Sequence, residues 1–259
     1  MNCLLQFPLI LFFHVLTLIP GGLLMCKTRI DWVWFQLQRV IAAAMLVTLS
    51  PLLAALFVLV RITSRGPALY SQERPGLNGK PFRVWKIRTM RPGADRDRSK
   101  ARSVQSSDPQ VTPIGRILRK LKLDELPQLW NIVRGEMAFV GPRPIAKSLY
   151  EELCLEIPGF SGRVCVHPGL TNVGQVCIDE NADQTRVIED WSLRFEAERH
   201  YLENRSPSYD LIVIGMTALY ILKKLTGIAR QQSRTPLGNQ PPSGPAFFNK
   251  STANMMSVR

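Results

Sequence analysis

Val40–Val60 reads VIAAAMLVTLSPLLAALFVLV, twenty-one residues without a charged side chain, interrupted at the middle by Ser50-Pro51. A run of that length and composition matches the hydrocarbon thickness of a bilayer. Proline at its centre removes a helix hydrogen bond and clashes with the preceding turn, so a kink is expected there. Basic residues stand on both flanks: Lys27, Arg29 and Arg39 before the run, Arg61 and Arg65 after it. A spanning helix gathers such residues on one side of the membrane. Two basic flanks around a central breaker fit a helix that enters, bends and returns to the same face. A kinked helix that crosses stays open as the other reading.

Upstream, residues 3–25 carry no Lys, Arg, Asp or Glu and are also long enough to span. No basic residue precedes them and no small-residue cleavage site follows, which argues against a signal peptide. An extra transmembrane helix and a start codon placed ahead of the true Met25 both remain as readings of residues 1–26.

Downstream, the charge distribution changes. Of the net +13, residues 61–147 contribute nineteen basic against seven acidic side chains, while residues 1–60 have three and one. A basic block beside an apolar element can attract an anionic membrane surface, a nucleic acid or a phosphorylated ligand, or be a solvated face. Two long apolar segments and no basic-aromatic recognition motif favour lipid and phosphate over nucleic acid. Five scattered cysteines without a C-x-x-C pair read as reduced, and the three histidines lack zinc spacing.

A strand hairpin is expected from Ala68-Leu69-Tyr70 to Phe82–Ile87, turning at Asn78-Gly79. Arg91–Gln110 lacks periodicity and reads as a loop. Helical patterning covers Ile114–Leu123, Leu126–Val133, Ile145–Leu155, Asp183–Asn204 and Tyr209–Leu225, the last ending near Gly227. Its apolar face suits an interfacial, buried or spanning position equally. From Gln231 the chain is rich in Pro, Ser, Asn and Gln and is expected to be disordered. The organisation is therefore residues 1–26 as an apolar lead segment, 27–63 as the broken membrane helix, 64–230 as a globular domain, and 231–259 as a tail. The fold class is α+β, a mostly helical, membrane-associated domain with a small β-hairpin.

Three sites carry chemistry. The first is Leu123-Asp124-Glu125-Leu126-Pro127-Gln128, which follows the basic helix holding Arg119, Lys120 and Lys122. Pro127 fits a first helical turn, which makes Asp124 the N-cap; the helix terminus then favours an ionised Asp124 and draws a phosphate towards it. A carboxylate so placed can serve as a nucleophile, and Glu125 can hold a divalent cation that masks the repulsion from the phosphate. Alone, an Asp-Glu pair is an ordinary solvated helix start. The second is Gly141-Pro142-Arg143-Pro144, where two prolines stiffen the backbone around an arginine able to grip a diphosphate bidentately. Alone, it is a Pro-rich turn. The third is Lys86-Ile87-Arg88, whose alternation along a strand turns Lys86 and Arg88 to one face. Alone, it is edge-strand charge.

In order and spacing, Ser50-Pro51, Gln72/Arg74/Gly76, Lys86–Met90, Leu123–Asn131, Gly135-Glu136-Met137, Gly141–Pro144 and Pro168-Gly169-Leu170-Thr171 resemble the bacterial sugar transferase family, the monotopic polyprenyl-phosphate sugar-1-phosphate transferases. The resemblance runs from about Val40 to Leu225. It implies a helix that re-enters at Ser50-Pro51 and an enzyme at the cytoplasmic face of the bacterial inner membrane. Asp124 then attacks the β-phosphate of a UDP-sugar, releasing UMP, and polyprenyl phosphate (usually undecaprenyl phosphate) takes the sugar-phosphate from Asp124. Glu125 and Asp124 hold Mg²⁺, while Lys86, Arg88, Arg119 and Arg143 contact phosphates. The product starts assembly of an exopolysaccharide, O-antigen or other glycan. Membrane lipids and a second copy of the chain are candidate partners; nucleic acid is not. The alternative is a non-catalytic membrane scaffold of a polysaccharide assembly complex.

Two departures from the family pattern stand out. An Asp about a dozen residues before Ser-Pro is absent from Phe35-Gln36-Leu37-Gln38-Arg39, which bears on anchoring at the lipid interface. Where the family has Gly and an aromatic residue after Pro-Gly-hydrophobic-Thr, this chain has Asn172-Val173. Asn tolerates a left-handed backbone, so the turn is expected to survive, with specificity altered if the loop shapes the sugar or nucleoside pocket.

Overall fold

A computed structural model describes residues 27–91, 93, 108–177 and 187–225. The expectations for residues 1–26, for most of the 91–110 loop, for the helix start at Asp183, for the stop at Gly227 and for the 231–259 tail lie outside the described residues. Over Val40–Val60 the chain forms two helices, α1 (Lys27–Thr48) and α2 (Ser50–Thr63), parted at Leu49. The break is local chemistry. Pro51 has no N–H for the Val47 carbonyl, and Ser50 Oγ donates to that carbonyl instead at 2.7 Å. Ile30–Thr48 is long and apolar enough to cross a membrane.

Each helix buries one stripe and leaves a second apolar face open. On α2, Leu53, Leu56 and Val60 recur at helical spacing and pack with Ile87 and Leu118. On the opposite side Val58 and Ile62 are exposed, Ile62 by 78%. On α1, Ala42 enters a cluster with Phe82, Val84, Leu129, Ile132 and Met137, whereas Trp32, Val33, Val40 and Val47 are exposed. Contiguous apolar exposure of this extent marks an interaction surface.

Polar teeth hold α1 to the rest of the molecule. Buried Gln38 accepts from the Phe139 amide at 2.8 Å, Arg39 Nε donates to the Val133 carbonyl at 3.0 Å, and Trp34 Nε1 donates to Asp210 at 2.7 Å. The departure at Gln36-Leu37-Gln38 thus contains an anchor to the protein itself, Gln38, made by an uncharged acceptor.

The hairpin forms as its turn residues dictate. β1 (Leu69–Pro75) pairs antiparallel with β2 (Pro81–Ile87) in a register from Leu69↔Ile87 to Pro75↔Pro81. Asn78 takes φ 54° in the connecting turn, a left-handed value that Asn accepts. α3 (Pro113–Lys120), capped by Thr112 Oγ1 accepting from the Gly115 amide, leads through a 3₁₀ turn (Leu123–Glu125) to α4 (Gln128–Val133). The helices expected over Ile145–Leu155 and Tyr209–Leu225 are α5 (Lys147–Glu156) and α8 (Pro207–Leu225), and α7 spans Val187–Asn204. α8 packs Tyr209 and Val213 into the core with Val140, Val173 and Tyr201.

A second, parallel two-stranded sheet was not anticipated. β3 (Ala138–Val140) pairs with β4 (Gly169–Thr171), Ala138↔Gly169 and Val140↔Thr171. Three-residue strands are too short to show a period of two. Their contact explains Gly141: a Cβ there would run into the His167 carbonyl and the Gly169 amide. The α6 turn (Val173–Cys177) follows β4.

Candidate functional site

The site forms where four chain segments meet beside the hairpin. After α3, Leu121 closes the helix and Lys122 adopts φ 57°, turning the chain into the Leu123–Glu125 turn. That left-handed residue corrects the capping expectation. α4 begins at Gln128 with Pro127 as its cap, so Asp124 lies a turn ahead of the helix and does not cap it. Asp124 and Glu125 are both 7% exposed instead of solvated.

Buried side by side, the two carboxylates differ in their hydrogen bonding and in the direction their carboxyls are shifted. Glu125 Oε1 accepts from Lys86 Nζ at 3.1 Å and from Arg143 Nη2 at 2.8 Å. Burial pushes its carboxyl up, but the Arg143 and Lys86 cations outweigh that and hold it well below the usual carboxylate range. Asp124 Oδ1 is buried without any hydrogen-bond partner. Burial, then the neighbouring Glu125 charge, raises its carboxyl above the usual range; Lys86, Lys122 and Arg119 pull it partway back. The expectation that a helix terminus favours an ionised Asp124 is therefore reversed: the ionised form is held at a cost. Lys86 is itself lowered by burial, with Glu125 opposing.

Four of the expected site residues, Asp124, Glu125, Lys86 and Arg143, thus come together. Arg119 Nε donates to Thr89 Oγ1 at 2.9 Å, and its charge acts on Asp124 from there. Arg88 follows Ile87, the last residue of β2, and its amide donates to the Ala68 carbonyl at 2.7 Å. Ser50 and Pro51 sit at the helix break and contribute no side-chain contact to this cluster.

Residues without an assigned role complete the arrangement. Arg74 on β1 donates to the Pro144 carbonyl at 2.5 Å and to Gln72 at 2.7 Å, tying the hairpin to the Arg143 loop. Gln175, with its amide oxygen facing Arg143, accepts from Nη1 and, at 3.1 Å, from Nε. Buried Asn131 ties α4 to β2 by accepting from the Trp85 amide and donating to the Arg83 carbonyl. Gln72 and Arg74 were visible only as spaced motif positions.

The Asn172-Val173 departure resolves differently from expectation. Asn172 has no left-handed backbone; its Oδ1 accepts from the Gln175 amide at 2.7 Å, capping α6. Val173 is 3% exposed and packs in the core with Tyr201 and Tyr209. Its side chain therefore fills the core rather than lining an open pocket.

A family model described as bacterial sugar transferase matches residues 32–224. Over 210 residues the chain is 37% identical to a UDP-glucose:undecaprenyl-phosphate glucose-1-phosphate transferase of Caulobacter vibrioides, covering 81% of this chain and 76% of the relative. It is 36% identical over 191 residues to the exopolysaccharide production protein ExoY of Sinorhizobium fredii, 68% of this chain and 80% of the relative. A UDP-N-acetylgalactosamine-undecaprenyl-phosphate N-acetylgalactosaminephosphotransferase of Aeromonas hydrophila is 33% identical over 184 residues, 71% of this chain. There the chain spans less than half, 42%, of the relative's length.

Proposed function

Because this chain belongs to the bacterial sugar transferase family, we propose that it moves a sugar-1-phosphate from a UDP-sugar to polyprenyl phosphate through a phosphosugar ester on Asp124. The observation that carries this reading is the contrast inside the acidic turn: one carboxylate locked by two cations, its neighbour buried with an unpartnered oxygen. A desolvated, unbonded carboxylate is a poor structural element and a competent nucleophile.

In the first step an Asp124 oxygen bonds to the β-phosphorus, and the bond from that phosphorus to the oxygen bridging the two phosphates breaks. The electron pair leaves with UMP. In the second step a phosphate oxygen of the polyprenyl acceptor attacks the same phosphorus, and the Asp124 carboxylate departs. Lys86 and Arg143, held at the edge of the site by Glu125, face the charge that develops on the transferring oxygens. Arg119 and Lys122 favour the ionised form of Asp124 that the attack requires. Among the described residues no three His, Cys, Asp or Glu side chains converge as a metal cage. Two carboxylates with one free oxygen suit Mg²⁺, which binds through one or two carboxylates together with substrate phosphates. Asp124 and Glu125 would hold it, and it would neutralise charge on the diphosphate.

The membrane side of the proposal rests on the exposed apolar faces of α1 and α2 and on the break at Leu49–Pro51. α1 and α2 dip into one leaflet and return, with the domain on the cytoplasmic side of the cell membrane. Cysteine labelling beyond each end of Val40–Val60 is expected to find both ends cytoplasmic; opposite faces exclude re-entry. The relatives' names differ in the sugar, so the sugar is left to assay. Membranes holding the protein, given undecaprenyl phosphate, Mg²⁺ and a panel of UDP-sugars, are expected to release UMP with at least one of them. No release from any of them favours the scaffold instead; release unchanged in Asp124→Asn removes Asp124 as the nucleophile.

A further inference from the structure

Away from the acidic turn, the described residues hold a second buried charge cluster that the proposed reaction does not use. Arg163, in the turn Phe160–Cys165, meets Glu198 of α7 through two bonds, Nε to Oε2 at 3.0 Å and Nη2 to Oε1 at 2.8 Å. Their side chains are 3% and 2% exposed. The Phe160 and Trp191 rings lie 4.7 Å and 5.5 Å from the Arg163 guanidinium carbon. A buried pair of this kind is weak evidence for stability, because apolar residues of similar volume commonly serve as well.

What apolar residues cannot supply is the pair's remaining hydrogen bonding, and both bonds go to one residue. Glu198 Oε1 accepts from the Arg143 amide at 3.3 Å, and Arg163 Nη2 donates to the Arg143 carbonyl at 2.9 Å. Arg143 stands between Pro142 and Pro144, neither of which has an N–H, so its amide is the one donor that this stretch of backbone offers. The pair thus holds Arg143 by its backbone on both sides, while Glu125 and Gln175 hold its guanidinium.

We propose that Arg163 and Glu198 are positioning residues, which fix the backbone of Arg143 so that its guanidinium meets the diphosphate of the nucleotide sugar. The inference rests on the phosphate-binding reading of Arg143 given above. Their effect on the reaction passes through Arg143 alone, since neither side chain contacts Asp124, Glu125 or Lys86 in the bonds they make. Misplacing a substrate-holding group by about 1 Å can cost roughly 10²-fold in rate.

The test is a mutant cycle on the full-length protein in membranes, reading kcat and KM for the best UDP-sugar together with thermal stability. Arg163→Met/Glu198→Leu keeps the buried volume and removes both backbone holds. It is expected to fold with a Tm near that of the unaltered protein and to lose roughly 10–100-fold in kcat/KM, largely through KM. Arg143→Ala is expected to lose at least as much. With Arg143→Ala already present, the pair substitution is expected to cost less than about 2-fold more, because its effect is already gone. A pair variant with unchanged kcat/KM, or a loss that multiplies fully with that of Arg143→Ala, overturns the proposal. Full activity in Arg143→Ala alone overturns the underlying reading of Arg143 instead. Should the apolar pair not fold, Arg163→Lys decides by the same cycle. Lysine keeps the charge opposite Glu198 but lacks the fork that reaches the Arg143 carbonyl as well, so a smaller loss that is likewise non-additive with Arg143→Ala is expected.

Discussion

Among the described residues, Glu198 and the Asp124-Glu125 turn both bury carboxylates beside basic side chains, and they use burial to opposite ends. At Glu198 both oxygens are bonded, by Arg163 and by the Arg143 amide, and two aromatic rings close over the cation. At the acidic turn only Glu125 is satisfied, while Asp124 keeps a buried oxygen with no partner. A fully bonded buried charge is rigid and inert; one that is desolvated and unbonded is a reservoir of reactivity. On the proposed reading one cluster holds and the other reacts, and Arg143 spans the two, backbone in the first and guanidinium in the second.

The largest expected effect comes from Asp124→Asn. Loss of a covalent nucleophile is expected to lower kcat by at least about 10³-fold. The same change is expected to raise stability at neutral pH, read as a higher Tm. With its folded carboxyl raised above the unfolded value, Asp124 makes the folded state bind more protons. Stability then falls as pH climbs from the ordinary Asp range near 4 through the raised folded value. A fall in Tm in Asp124→Asn would place Asp124 with Glu198 as a structural group and break the contrast.

Glu125→Gln is expected to act in the other direction on stability. It leaves Lys86 and Arg143 facing an uncharged amide, which costs about 3–5 kcal/mol in chemical denaturation, with activity down roughly 10²-fold. Because the Glu125 carboxyl is depressed, its contribution is present above the ordinary Glu range near 4.3 and is lost only as pH falls through the lower folded value. The pH profile separates the neighbours in another way. Ionised Asp124 is required for attack, so the acid limb of kcat/KM is expected above the ordinary carboxylate range. An acid limb at or below pH 4 contradicts the raised carboxyl.

Smaller changes sharpen the comparison. Gln175→Met removes the acceptor for Arg143 Nη1 and Nε but leaves the hold at Glu125, so KM is expected to rise about 3–10-fold with little change in Tm. Gln38→Ala strips the acceptor from the Phe139 amide where α1 meets the domain; about 1–2 kcal/mol of stability is expected to go, with kcat/KM per folded molecule close to unaltered.

Local chemistry was legible from the residues alone. Asn78-Gly79 announced the hairpin because few residues accept the left-handed turn it needs, and Pro51 announced the break because it has no amide to give. The acidic turn, the Arg143 loop and Lys86 were singled out as candidates, and the structure brings their side chains together, a pairing with Glu125 that the residues alone did not show. What failed was the local geometry: Lys122 turns left-handed into the Leu123–Glu125 turn, Asp124 lies buried a turn ahead of α4, and its carboxyl is raised where a helix terminus would have lowered it. The Arg163–Glu198 pair was invisible because its members lie 35 residues apart in segments that carry no motif, and the β3–β4 contact because three-residue strands show no period.

The central claim is that Asp124 becomes covalently loaded. The direct measurement is to mix purified protein with its UDP-sugar in the absence of polyprenyl phosphate, quench in acid, digest with trypsin and weigh the peptide Leu123–Arg134. A stoichiometric burst of UMP is expected, with a sugar-phosphate mass on Asp124 that disappears when polyprenyl phosphate is added. UMP released only when the acceptor is present, with that peptide unmodified throughout, would contradict it.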